Sequence, residues 1–122
     1  MKVTAVKTHK ITVKDTNIFL ALNRYLPQLK ERVVVVVTSK IVALCEGRVV
    51  DPQKIDKDKV VIEEADYYLP RTSNKYNVMP TIKNGIIAFN SGVDESNGNG
   101  ALVLWPSNSQ KSAIYGSRCI AL

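Results

Sequence analysis

The chain has 122 residues, a formal net charge of +6 and 45% apolar residues. That is one domain of common size, able to bury a real core, and no window approaches the ~20 apolar residues of a membrane span. The basic balance favours anionic partners such as nucleotides or phosphorylated metabolites, but Lys54, Lys57 and Lys59 alternate with Asp51, Asp56 and Asp58 and no arginine-rich tract occurs, which disfavours nucleic acid.

The N-terminus alternates and carries charge, so it does not read as a signal peptide. Val3 to Thr8 reads as a strand. His9-Lys10 interrupts it, and Ile11 to Val13 resumes extended structure. His9 is the sole histidine, and its neighbours mark it as a surface or strand-end residue rather than the centre of a catalytic triad. Asp15, Thr16 and Asn17 are stacked helix-cap candidates. Behind them Ile18, Leu22, Tyr25, Leu26 and Leu29 recur at helical spacing, with Pro27 expected to end or kink the helix.

Arg32 to Val50 is the stretch around which the rest is organised. Five consecutive valines, Val33 to Val37, predict a central strand buried on both faces. Thr38 and Ser39 stop it. Ile41, Val42, Leu44 and Cys45 then share one face of a short helix that Gly47 would end. A strand, a Thr-Ser turn and a helix start together expose backbone N–H groups, two hydroxyls and Lys40, the makings of an anion site. Capping is the commoner use of Thr and Ser at such a turn. The only cysteines are Cys45 and Cys119. Their spacing fits neither a zinc motif nor a disulfide framework, so both are expected to be free thiols in a reducing compartment, the cytoplasm.

Arg48 to Val50 reads as a short strand, and Asp51-Pro52 as a turn. Residues 51 to 77 are less regular: Lys59 to Ile62 fits a strand or a helix start, and Arg71 to Asn77 is loop-like. Val78 to Ile82 and Ile86 to Phe89 flank Lys83-Asn84-Gly85, and Asn-Gly between apolar runs is a strong hairpin signal. Pro80 is then expected at an edge or a bulge. The polar, glycine-rich loop Asn90 to Gly100 follows. A strand over Ala101 to Trp105 comes next, then a helix entry with Ser107 or Ser109 as cap; Gly116 to Leu122 shows no clear pattern. The expected architecture is one α+β domain with a mixed sheet, an Asn-Gly hairpin and two or three short helices.

The loop Asn90 to Gly100 suits close approach of backbone to a ligand. Asp94 is a hard oxygen donor of the kind Mg²⁺ or Mn²⁺ prefers. Asn90, Ser96 and Asn97 can orient a phosphate or add oxygens. The same residue types also build ordinary turns. A metal held by one carboxylate needs substrate phosphates or a second carboxylate besides.

Two stretches together resemble one family. Val-Val-Thr-Ser-Lys-Ile-Val-Ala-Leu-Cys-Glu-Gly-Arg-Val-Val, ending at Val50, is similar to the strand, Thr-Ser-Lys, helix and Glu-Gly-Arg segment of coenzyme F420-0:L-glutamate ligases, the gamma-glutamyl ligases. Asn90-Ser91-Gly92-Val93-Asp94-Glu95-Ser96-Asn97 is similar to that family's Asn-Ala-Gly-Ile-Asp-x-Ser-Asn loop, and Leu102 to Pro106 to its Leu-Leu-Leu-Pro strand. The resemblance implies an F420 ligase-like fold paired as a homodimer. It also implies use of GTP and Mg²⁺ or Mn²⁺ to join glutamate to a deazaflavin coenzyme through an acyl phosphate. By position, Asp94 matches a metal-binding aspartate, Asn97 an asparagine at the nucleotide, and Thr38 and Ser39 residues that contact GTP. Lys40 adjoins them, and Ile11 and Thr12 fall in a segment aligning loosely with another GTP contact.

The chain departs from the pattern in two places. Leu44 stands where the family has a nucleotide-contacting lysine, which removes a phosphate partner. The family's chains are longer, and their second half carries an Asp-Thr-x-Gly-Arg motif with a further metal ligand that nothing here matches. The expectations are therefore a ligase-like domain keeping the nucleotide and metal half-site, or a non-catalytic domain of the same fold that binds an anionic small molecule or forms oligomers.

Overall fold

The computed structural model describes residues 2–95 and 100–120, with only the backbone for 116–120. Among the described residues, four α-helices and two small antiparallel sheets make an α+β fold.

Helix α1 is Ile18–Tyr25. The side chain of Asn17 caps it, accepting from Phe19 N and Leu20 N at 3.0 and 3.3 Å. It stops as Pro27 requires, since the residue before a proline is driven out of the helical region and Leu26 is extended. Helix α2 is Ser39–Cys45, closed by Gly47 in the left-handed region at φ 68°. Strand β1, Val49–Val50, follows, then α3, Lys57–Glu64, whose first N–H groups bond to the Asp56 carboxylate. Strand β2 is Tyr67–Tyr68, β3 Pro80–Lys83 and β4 Ile86–Phe89, in the order β2-β3-β4. Asn84 and Gly85 turn the hairpin with φ of 53° and 72°, the left-handed pair its tight turn demands. Pro80 opens the central strand rather than sitting at an edge; as first residue its missing N–H costs little, and its carbonyl still accepts from Leu69 N.

Strand β5, Leu102–Val103, pairs with β1 in the register Val49↔Val103 and Val50↔Leu102. Helix α4 runs Ser109–Ile120, through the stretch that shows no pattern in sequence. Its cap is Asn108, which accepts from Lys111 N at 2.8 Å, not Ser107 or Ser109.

Two apolar clusters hold these elements. Val60 and Val61 of α3 pack with Met79, Val93, Leu102 and Leu104. Ile11, Ile18 and Cys45 pack with Phe19, Leu22 and Val37. Phe19 and Tyr115 meet edge to face at 4.9 Å, docking α4 on α1.

The valine run is not a buried strand. Val34 and Val36 are 83% and 86% exposed, and no strand among the described residues pairs with Val33 to Val37. Only Val35 and Val37 turn partly inward. High strand propensity reports how well a side chain packs on a sheet, and without a neighbouring ladder it has nothing to act on. The run instead borders a groove of about 1060 Å³ between α1 and α4. Val3 to Thr8 is likewise unpaired and largely exposed. None of the described helices is long and apolar enough to cross a membrane.

Candidate functional site

The loop after β4 begins with three consecutive left-handed residues: Asn90, Ser91 and Gly92, with φ of 51°, 51° and 70°. Such a turn is strained for non-glycine residues and persists only where its surroundings hold it. Here they do. Asn90 accepts from Met79 N through its side chain at 3.1 Å and donates its own N–H to Met79 O at 2.8 Å. Fully buried Ser91 donates from its hydroxyl to Val61 O at 2.8 Å and from its N–H to Thr81 Oγ1 at 3.0 Å. Asn90 is therefore structural; its side-chain oxygen is engaged with backbone rather than presented to a ligand.

The turn delivers Asp94 beside β5. Its N–H donates to Val103 O at 2.9 Å, and its carbonyl accepts from Val103 N at 2.8 Å. The backbone is thus clamped and the carboxylate projects toward the start of α2, where Lys40 forms an ion pair with it. Ser39, Lys40, Gly92, Asp94 and Trp105 line a small cleft of about 70 Å³. The indole of Trp105 closes one side against Gly92. Arg48 fixes that wall by donating from Nε to Trp105 O at 3.1 Å, and Arg48 O accepts from Leu104 N at 3.0 Å.

Of the residues singled out from sequence, Ser39, Lys40 and Asp94 come together. Thr38 stands at the helix cap, with no side-chain capping bond; its carbonyl accepts from Ile41 and Val42 N. Ile11 is buried against α1 and α2, and Thr12 is tied to Asp15 through its N–H and its hydroxyl. Neither lines the cleft. Asn97 lies outside the described residues, as does Ser96. Cys45 is a buried free thiol whose pKa is raised by burial first and by the charges of Asp15 and Glu46 second.

Several arrangements were not legible in the sequence. His9 bridges two groups: Nε2 lies 2.8 Å from Asp15 Oδ1 and Nδ1 lies 2.9 Å from Tyr25 Oη. The Thr12 N–H, and then His9, hold the Asp15 carboxyl below its usual range. Glu46 of the Glu-Gly-Arg segment reaches α4, accepting from Ser107 N at 3.0 Å and from the Ser112 hydroxyl at 2.7 Å. Glu64 takes both Arg48 and the buried Lys83. Asp66 accepts from Asn84 N at 2.6 Å, so it and Glu64 are both engaged within the chain. Lys57 holds Glu95 at 2.7 Å.

The donor set decides how a divalent cation would fit. The cleft offers one carboxylate and one hydroxyl, both hard oxygens, and no group of three metal-binding side chains exists among the described residues. That suits a cation bound partly by substrate phosphates and water, the usual mode of Mg²⁺, and not a cation caged by protein alone. A family model described as F420-0:gamma-glutamyl ligase matches residues 5–115. The match takes in both segments that meet at the cleft and nearly the whole chain, and the chain belongs to the F420-0:gamma-glutamyl ligase family.

Proposed function

We propose that the cleft is a nucleotide half-site that takes GTP together with Mg²⁺ or Mn²⁺, in a domain of the gamma-glutamyl ligase type. The observation that carries it is the meeting of Lys40 and Ser39, from the start of α2, with Asp94, from a loop far away in sequence. Lys40 supplies a point charge for a phosphate. Ser39 offers a hydroxyl to a phosphate oxygen. Asp94, held by Val103, is the carboxylate for the cation. Thr38 would flank the nucleotide, Asn97 is assigned to it by the family resemblance alone, and Ile11 and Thr12 would act only by shaping the segment packed under α1.

Ligation of this kind needs a carboxylate oxygen of the acceptor to attack the terminal phosphorus of GTP, releasing GDP. The amine of glutamate then attacks the acyl phosphate carbon, releasing phosphate and a proton. The cation, when bound, neutralises charge on the transferring phosphoryl group.

A binding domain without ligation is the second reading. It is favoured by Leu44, which supplies no cation to the phosphates, and by Asp94 being the cleft's one acidic side chain among the described residues.

Calorimetric titration of GTP with and without Mn²⁺ tests the common core of both readings. Micromolar binding that requires metal and disappears in Asp94→Ala supports it. Absence of heat at millimolar GTP, or binding unchanged in Asp94→Ala, overturns it. Glutamate-dependent release of phosphate then separates ligase from binder.

A further inference from the structure

Resting on that nucleotide reading, we propose that Lys40 is a stopper on the metal site. Its ammonium holds the Asp94 carboxylate against a lone divalent cation and yields it when phosphate arrives. Three features of the cleft support this.

First, the ammonium of Lys40 already pairs with Oδ2 of Asp94, so a cation approaching that oxygen meets a positive charge in place. The two side chains are 30% and 37% exposed. The pair is therefore partly desolvated, stronger than a fully hydrated surface pair, yet breakable.

Second, the backbone of Asp94 is bonded to Val103 through both its N–H and its carbonyl, which keeps the residue beside the start of α2. Lysine is suited to let go, being a compact charge on a flexible stem, whereas arginine would be locked by its planar fork.

Third, Asp94 is the only acidic side chain lining the cleft among the described residues. A lone cation would displace Lys40 and leave two positive centres side by side with one carboxylate between them. A nucleoside triphosphate brings the missing negative charge. Lys40 can move to a phosphate oxygen, and Asp94 is released to the cation. Metal and nucleotide are then positively coupled, and the coupling is reciprocal. Lys40 thus selects the metal–nucleotide complex over either component alone.

The test follows Mn²⁺ by the electron paramagnetic resonance of the free aquo ion, with and without GTP. The proteins are the unaltered chain, Lys40→Met and Asp94→Asn, each checked for folding by circular dichroism. The unaltered chain is expected to take up Mn²⁺ only with GTP. Lys40→Met is expected to take it up alone, about tenfold more tightly than the unaltered chain, within the usual span of coupling between two ligands. Asp94→Asn should show neither uptake. Equal affinity of the unaltered chain and Lys40→Met for Mn²⁺ alone overturns the stopper. Absence of GTP binding by the unaltered chain overturns the nucleotide reading and the stopper with it, whereas GTP binding that persists alongside equal Mn²⁺ affinities overturns the stopper alone.

Discussion

The indole of Trp105 sits so close to the backbone of Gly92 that a Cβ built there falls 2.0 Å from Nε1 and 2.2 Å from Cε2. Gly92 also has φ of 70°, which side chains disfavour. Gly92→Ala therefore faces both left-handed strain and overpacking, together about 3 kcal/mol of destabilisation. In a Trp105→Ala background the clash is gone, and the same change should cost only about 1 kcal/mol. Urea unfolding of the two singles and the double measures the difference. Equal losses in both backgrounds would refute the contact as the cause.

Ser91 separates strain from hydrogen bonding. Its hydroxyl satisfies Val61 O in a fully buried position, so Ser91→Ala leaves that carbonyl without its partner and should cost about 1–3 kcal/mol. Ser91→Gly loses the same bond but relieves a φ of 51°, so it should be the milder of the two. Thermal melts of the pair decide the order.

Acid should weaken the fold through Asp58 and Asp15. Arg71 grips Asp58 with Nε at 2.8 and 2.9 Å and Nη2 at 2.6 Å. That hydrogen bonding lowers the Asp58 pKa, and the Thr12 N–H, then His9, lower that of Asp15. A carboxylate with a depressed folded pKa contributes stability that is fully present above the unfolded value of ~3.9 and is lost as pH falls through the folded value. Stability should thus be flat from neutrality down to about pH 5 and fall below about pH 4. Asp58→Asn should flatten part of that fall. At neutral pH, Arg71→Lys should lose about 0.5–1 kcal/mol, because lysine cannot make the bidentate contact at this partly exposed site. A pH series of denaturant midpoints checks both points.

Glu64 is shared by Arg48 and by Lys83, whose side chain is only 6% exposed. Glu64→Gln would leave two cations facing each other with no compensating charge. A loss of about 2–3 kcal/mol is expected, below the cost of a fully buried pair because Arg48 keeps some solvent. Lys83→Met in the same background should recover part of it. A double-mutant cycle at neutral pH reads the coupling, and additive losses would show the three groups to be independent.

The outer face of the β2-β3-β4 sheet is apolar and open. Tyr67, Ile82 and Ile87 form one cross-strand row, with Ile87 79% exposed and Phe89 64%. Strand β4 is an edge with no charged residue. Such an edge invites association. Ile87→Lys should reduce concentration-dependent light scattering while leaving the melting temperature nearly unchanged. Scattering that is unaffected would place association elsewhere.

Sequence alone determined the parts that depend on neighbours along the chain. Asn17 caps α1 and Pro27 ends it, Gly47 closes α2, and Asn84-Gly85 turns the hairpin, because capping bonds and left-handed φ values act within a few residues. The family was legible for the same reason, since its two motifs are short and contiguous. Tertiary structure alone decided what becomes of each segment once folded. The five valines read in sequence as a central buried strand, yet they lie partly open because a strand is made by hydrogen bonding to a neighbour and not by propensity. The helix over Lys57–Glu64 was ambiguous because packing against Met79 and Leu102, more than local spacing, selects it. The pairing of Lys40 with Asp94 could not be read from either motif. It exists because Val103 clamps the loop opposite the start of α2, and long-range hydrogen bonds of that kind leave no trace in local sequence.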